Sequence, residues 1–399
     1  MMQDRPGVLV LMGSGETSPT MVEVHRSVVR RLGDGPRAVL LDTPYAFQEN
    51  AADISSRARK YFARSVGLDV EVGTAIAGAD WVFSGPGSPT FALDRWTATP
   101  VAAELRGRVR ARDGATVLAS AAACTAGIAA VPVYEIYKVG AEPHWREGLD
   151  LLGALGLQVA VIPHYDNAEG GTHDTRYCYL GERRLAFLEH LLPPDAAVLG
   201  IDEHTAVVFD LRAESLQVAG RGGLTVRRPG SQTVLPAGTV AGLAELRRLL
   251  RGGGGSPGAS PGPVVPPEAG HVTLGELTRA CEQRFGAALG EHNTAEATQA
   301  VLDLEAEITK WAADTEEDEG GVDEAREILR HLVTRLGRLA DTSEPRDRLA
   351  PLVEPLLTLR ERLRDQGAYD SADALREALA TGGVSIEDGP DGPRWTVRG

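Results

Sequence analysis

Short apolar, β-branched runs alternate with amphipathic stretches through the first 250 residues, and after residue 270 apolar positions recur every three to four residues. The first pattern predicts strands at Val8–Met12, Ala38–Leu41, Leu68–Val72, Trp81–Ser84, Thr116–Ala119 and Val159–Pro163. With crossover helices between them, these read as a parallel sheet; Thr205–Asp210 and Leu224–Arg227 read as later edge strands. The second pattern predicts helices over Leu274–Leu289, Thr294–Ala312, Asp323–Leu339, Leu349–Arg364 and Asp370–Ala380. A β-hairpin closes the chain around Gly389-Pro390-Asp391-Gly392. Between the two patterns, 14 of the 19 residues from Gly252 to Gly270 are Gly, Pro or Ser. So little apolar surface cannot offset the entropy of ordering, and the segment reads as a linker. The expected architecture is an α/β domain over 1–250, with a mostly parallel sheet flanked by helices. A linker at 251–270 then leads to a helical bundle with a small α+β hairpin module over 271–399.

Composition narrows this further. A chain of 399 residues predicts two or three domains. No 18-residue apolar run occurs and Met1–Gly7 carries no signal-peptide pattern, so a soluble cytoplasmic protein without a membrane partner is expected. Cys124, Cys178 and Cys281, odd in number and without CxxC spacing, fit a reducing compartment rather than a disulfide framework. From His271 onward 15 Lys and Arg face 27 Asp and Glu, against 26 and 29 before it. The acidity of the C-terminal part counts against nonspecific nucleic-acid binding there, without excluding a local basic face.

Ligands of parallel sheets bind beyond the carboxyl ends of the strands, so the residues following each run carry the chemistry. After the first strand, Gly13-Ser14-Gly15-Glu16 reads as a tight turn, because Glu16 would repel a phosphate. After the fifth, Ser120-Ala121-Ala122-Ala123-Cys124 places a hydroxyl among small residues feeding a helix, as a nucleophile elbow requires. Glu135 and His164 follow in chain order, giving a nucleophile, an orienting acid and a base. The N–H groups of Gly87 and Ala121 are candidate oxyanion donors. Asn167 and Arg176, in the polar stretch after His164, are candidate substrate contacts, Arg176 as a bidentate carboxylate grip. His164, His173, Asp174 and His204 lack helical HxxxH spacing, so neither a metal nor another cofactor is expected. Cys124, one turn past Ser120, reads as a buried small apolar residue.

The order GSGE, GPGSPTF, SAAA, IPHYDN and GIDEHTA over Val8 to Arg228 resembles the cyanophycinase and dipeptidase E family of serine peptidases. That resemblance implies a glutamine-amidotransferase-like fold, with Ser120 as nucleophile, His164 as base and Glu135 as acid. The family's elbow has Gly where this chain has Ala122, and a one-residue slip would place Ala121 at the nucleophile position. Separately, Tyr369-Asp370-Ser371-Ala372-Asp373-Ala374-Leu375-Arg376 with GVSIEDGPDGPRW, and Phe285 to Thr294, resemble the tRNA-binding C-terminal region of cysteinyl-tRNA synthetases. This implies a tRNA-facing module, with Arg360, Arg364, Arg376, Arg394 and Trp395 as candidate RNA contacts. Alternatively, Trp395 closes the hairpin core and the arginines pair with neighbouring acids. No HIGH-like or KMSKS-like segment occurs, so a complete synthetase is excluded. The expected function is hydrolysis of an amide or ester of a small amino-acid-containing substrate, a small molecule or a peptide. The fusion suggests a link of that substrate to tRNA or cysteine. The alternative is a catalytically silent protein docking tRNA or a protein partner. A homo-oligomer is compatible with either.

Overall fold

A computed structural model describes residues 5–169, 173–253, 274–291, 293–311, 321–341, 345–389 and 392–397. Most of the expected linker, the acidic stretch 312–320 and the tip of the closing hairpin lie outside these residues. The chain forms two compact units, Met1–Leu277 with Ala306–Asp323, and Thr278–Glu305 with Glu324–Gly399.

The first unit is built from β1 (Gly7–Met12), β2 (Ala38–Leu40), β3 (Val70–Val72), β4 (Trp81–Ser84), β5 (Gly114–Ala119), β6 (Ala129–Ala130) and β7 (Arg146–Glu147). These are followed by β8 (Val159–Ile162), β9 (Ala197–Ile201), β10 (Thr205–Asp210), β11 (Ser215–Gly220), β12 (Gly223–Arg228), β13 (Ser231–Pro236) and β14 (Val240–Gly242). They make two sheets, ordered β14-β11-β10-β1-β5-β4-β2-β3 and β13-β12-β9-β8-β6-β7. In the first, β1, β5, β4, β2 and β3 run parallel, as expected, and β10, β11 and β14 add antiparallel strands. In the second, β6, β8 and β9 are parallel while β7, β12 and β13 are antiparallel. Thr205–Asp210 and Leu224–Arg227 therefore lie inside sheets, not at edges. Thr205–Phe209 and Leu224–Val226 are apolar or β-branched and buried throughout.

Alternation along β1 divides the core. Leu9 and Leu11 pack with Val161, Leu199 and Phe209, whereas Val8, Val10 and Met12 pack with Val28, Phe62, Trp81 and Phe83. Every residue of β1, β4, β5, β8 and β9 is buried, which is why these runs read as continuous rather than alternating. The carboxyl ends of β5, β8 and β9 are brought together by this stacking. Beyond β8 the Tyr165 N–H donates to Ile201 O at 3.1 Å, and Gly13 beyond β1 donates to Thr205 O at 2.9 Å.

The second unit contains helices Leu274–Gly290, Thr294–Trp311, Gly321–Asp341, Pro345–Asp365 and Tyr369–Thr381, in part or whole. A hairpin, β15 (Val384–Gly389) with β16 (Gly392–Val397), follows the last of them. Gly383, at φ 86°, turns the chain from that helix into β15. Trp395, Ile386 and Val384 form a small core with Val353 and Leu357. Among the described residues, no helix is long and apolar enough to cross a membrane.

Candidate active site

Strand β5 ends at Ala119, and Ser120 opens a five-residue helix with φ 47°. This left-handed conformation is costly for a residue with a Cβ, and it lifts the hydroxyl above the sheet end. Small neighbours make the turn feasible. Ala122 is fully buried and its N–H donates to Gly85 O at 3.2 Å, so a methyl group is accommodated where the resembling family carries glycine.

His164 immediately follows the end of β8 and also sits at φ 47°. Its Nε2 lies 2.9 Å from Ser120 Oγ, and its Nδ1 lies 2.9 Å from Glu203 Oε1. Glu203 is the second residue after β9, and its own N–H donates to Asp166 Oδ1 at 2.7 Å. The acid paired with His164 is thus Glu203, not the expected Glu135. Glu135 lies on the helix Val133–Tyr137, whereas the loop after β9 starts one strand away from His164 in the same sheet.

Burial works to lower the His164 pKa, but the hydrogen bond and charge of Glu203 outweigh it, helped by Glu16 and Glu169. The imidazole therefore titrates above its ordinary value. Burial likewise pushes the Glu203 carboxyl up, yet hydrogen bonds from His164 and Asn167 hold it below the usual range. The arrangement favours an imidazolium–carboxylate pair once a proton arrives.

The other expected residues divide. Gly87 and Ala121 both line a cavity of about 130 Å³ together with Ser120 and His164. Gly87 has φ 125°, and a Cβ there would stand 2.2 Å from Pro44 O, so glycine is required. Asn167 is fully buried and donates from Nδ2 to Glu203 Oε1 at 3.0 Å. It orients the acid instead of reaching substrate. Arg176 is exposed and doubly bonded to Asp174, at 2.8 and 2.9 Å, which leaves it as a surface ion pair outside the cavity. His173 lies 3.4 Å from the Tyr137 hydroxyl, and His204 Nδ1 lies 2.9 Å from Thr20 Oγ1. Cys124 is buried against Val131 O, and burial pushes its thiol up to about 12.

In the second unit, two of the expected RNA contacts are internal. Trp395 is 4% exposed within the hairpin core. Arg360, 2% exposed, grips Asp388 bidentately at 2.7 and 2.9 Å, because the hairpin folds back over the helix Pro345–Asp365. Arg364 also reaches Asp388, at 2.9 Å, from an exposed position. Arg376 and Arg394 are exposed, Arg394 opposite Glu387 in the hairpin register.

Residues 346–395 match the family described as the cysteinyl-tRNA ligase anticodon binding domain. A cysteine–tRNA ligase of Symbiobacterium thermophilum is 33% identical over 127 residues, covering 31% of this chain and 26% of the ligase. One from Nocardioides sp. is 50% identical over 46 residues, 12% of this chain and 10% of the ligase. The chain thus spans about a quarter or less of the length of these curated relatives. Among solved structures, a peptidase from an acI-B1 Actinobacterium aligns with TM-score 0.48 and 21% identity, over 59% of this chain and 97% of that one. A putative peptidase E protein from Listeria monocytogenes EGD-e aligns with TM-score 0.35 and 14% identity, over 58% and 98%. The C-terminal region is similar in sequence to the anticodon-binding end of cysteinyl-tRNA ligases, and peptidases are structural neighbours covering somewhat over half of the chain.

Proposed function

We propose that the first unit is a serine hydrolase acting on an amide or ester of a small amino-acid-containing substrate. The observation that carries this is the continuous relay from Ser120 Oγ through His164 to Glu203, with 2.9 Å at both steps, opening onto a cavity. Ser120 Oγ attacks the carbonyl carbon while His164 Nε2 accepts its proton. Glu203 stabilises the imidazolium and holds the tautomer, and Asn167 holds Glu203. The N–H groups of Gly87 and Ala121 receive the oxyanion. On collapse, His164 returns the proton to the leaving amine or alcohol; water, activated by the same histidine, then releases the acyl group. Turnover of a panel of aminoacyl methyl esters and p-nitroanilides tests this. Wild type should turn over at least one substrate, and Ser120→Ala should reduce that rate to the uncatalysed level. Equal rates in both proteins would overturn the assignment.

For the second unit, we propose tRNA as the ligand, supported by the match of residues 346–395 to an anticodon-binding domain. The exposed Arg364, Arg376 and Arg394 are its candidate contacts. Substrates of the first unit would then include tRNA-linked aminoacyl esters. Filter binding of a cysteine tRNA to the full chain should weaken steeply with salt and with Arg394→Ala. Salt-independent binding, or none at low ionic strength, would remove tRNA from the account.

A further inference from the structure

We propose that the open side of the Ser120 cavity is a nucleotide subsite, so that the bond cleaved is an ester between an aminoacyl group and a ribose hydroxyl. This rests on the hydrolase reading above. The cavity has a floor and a rim of different chemistry. Its floor is small and apolar: Ala121, Cys124, Val133 and Cys178 are all buried lining residues. Its enclosed space of about 130 Å³ is small beside the roughly 300–1,000 Å³ of clefts that take up whole drug-sized ligands. One small aminoacyl group enters, and the leaving group stays at the rim.

Three of the lining residues are exposed and so mark where the cavity meets water: Tyr134, Lys138 and Glu169. Lys138 caps the helix Val133–Tyr137, and its N–H donates to Tyr134 O at 2.9 Å. At this spacing Tyr134, Tyr137 and Lys138 share one helix face, and all three line the cavity. Tyr137 and Tyr179, both half-buried in the wall, pack with ring centroids 5.1 Å apart. The Lys138 ammonium lies 5.2 Å from the Tyr137 ring centre, and the Tyr179 hydroxyl donates to Glu169 Oε2 at 2.7 Å. The contacts thus run Lys138, Tyr137, Tyr179, Glu169, with one charge at each end of two aromatic rings.

Each part of a nucleotide has its counterpart in this row. Aromatic rings stack on any nucleobase, a lysine attracts a phosphate, and a carboxylate accepts hydrogen bonds from ribose hydroxyls. The Tyr179 ring lies 6.4 Å from the His164 ring, which sets the Glu169 end beside the imidazole that must protonate the ribose oxygen. The ribose lies there, with nucleobase and phosphate further out on Tyr134 and Lys138. In the step itself Ser120 Oγ bonds to the acyl carbon and the bond from that carbon to the ribose oxygen breaks. The serine proton passes through His164 Nε2 to that oxygen, and water then releases the amino acid.

Protection of Ser120 from fluorophosphonate labelling in the full chain tests the subsite. In wild type, millimolar AMP should slow labelling, adenosine should slow it less, and ribose 5-phosphate should leave it unchanged. Tyr134→Ala should raise the half-protecting AMP concentration about fivefold or more, Tyr134→Phe should keep the wild-type value, and Lys138→Ala should abolish the advantage of AMP over adenosine. Ribose 5-phosphate protecting as well as AMP, or AMP giving no protection, overturns the subsite and leaves the hydrolase reading intact. Ser120 left unlabelled removes both. Two alanyl esters then separate the sources of the nucleotide. Faster turnover of an alanylated RNA ending in adenosine than of the 3′-alanyl ester of AMP assigns the subsite to an RNA end. Equal turnover assigns it to a free aminoacyl nucleotide, and turnover of neither above the uncatalysed rate overturns the proposal.

Discussion

Replacing Glu203 by glutamine separates the charge of the acid from its shape. In the native site Glu203 Oε1 accepts hydrogen bonds from both His164 Nδ1 and Asn167 Nδ2. A glutamine oxygen can take both, so the imidazole keeps its tautomer and only the negative charge is lost. Charge centres about 4 Å apart interact by about 4 kcal/mol at an effective dielectric near 20. The side chains are 15% and 24% exposed, so solvent screening reduces this to about 2 kcal/mol. That corresponds to an about 30-fold loss in the rate of Ser120 acylation above pH 8, and an acid limb lower by about 1.5 pH units. The sign follows from the raised His164 pKa: activity requires the neutral base and falls as pH drops through a value above 6.5. Without the carboxylate the base stays neutral to lower pH, so the deficit should narrow below pH 6. Fluorophosphonate inactivation rates between pH 5 and 9 measure both effects. Glu135→Gln should follow the wild-type profile within about twofold, since Glu135 is not the acid paired with His164. A Glu203→Gln profile superimposable on wild type, or a larger loss in Glu135→Gln, would refute the reasoning.

Three further outcomes follow from the packing. His25 is 1% exposed among Tyr61, Phe62, Trp81 and Phe83, and burial lowers its pKa to about 4. The unfolded chain therefore binds the extra proton first, and stability should fall by about 3 kcal/mol between pH 6.5 and 4. Urea unfolding of His25→Gln, which keeps a donor for Glu16 O, should show that slope flattened. Ser120→Gly should be more stable than Ser120→Ala by about 1 kcal/mol, because both lack the hydroxyl and only glycine relieves the left-handed backbone. Equal melting temperatures would remove the strain. Asp388→Ala, which leaves the buried Arg360 unpaired, should cost about 2 kcal/mol, the carboxylate being partly solvated. A thermal transition of the second unit unchanged by this substitution would show that the pair contributes nothing.

Strands with both faces buried announce themselves as unbroken apolar runs, and β1, β4, β5 and β8 were legible for that reason, as were Ser120 and His164 at the ends of two of them. In the later part of the first unit Thr205–Asp210 and Leu224–Arg227 are legible as strands though not as inner ones, and other strands there are not legible. Ser231–Pro236 is mostly exposed, and Val240–Gly242 is only three residues long, so neither gives a sustained period. Ala197–Ile201 is a fully buried run, AVLGI, to which the rule that marks His164 applies equally. Glu203 follows that strand just as His164 follows β8. Asn167 and Arg176 share one polar stretch, and only the fold decides that one is sealed beneath Glu203 while the other faces water. In the second unit helical periodicity gives each described helix to within a few residues, and the turn residues give the hairpin. Of the two readings the sequence leaves open for Trp395, closure of the hairpin core is the one the fold adopts. Periodicity does not say which arginine is covered when the hairpin folds back, and only the fold seals Arg360 on Asp388.

The most direct test of the central claim is peptide-mapped intact-mass labelling with a fluorophosphonate in wild type, Ser120→Ala and His164→Ala. An activated Ser120 predicts one adduct per chain, located on the peptide containing Ser120 and absent from both variants. An adduct on another residue, or labelling of His164→Ala at the wild-type rate, would contradict the account.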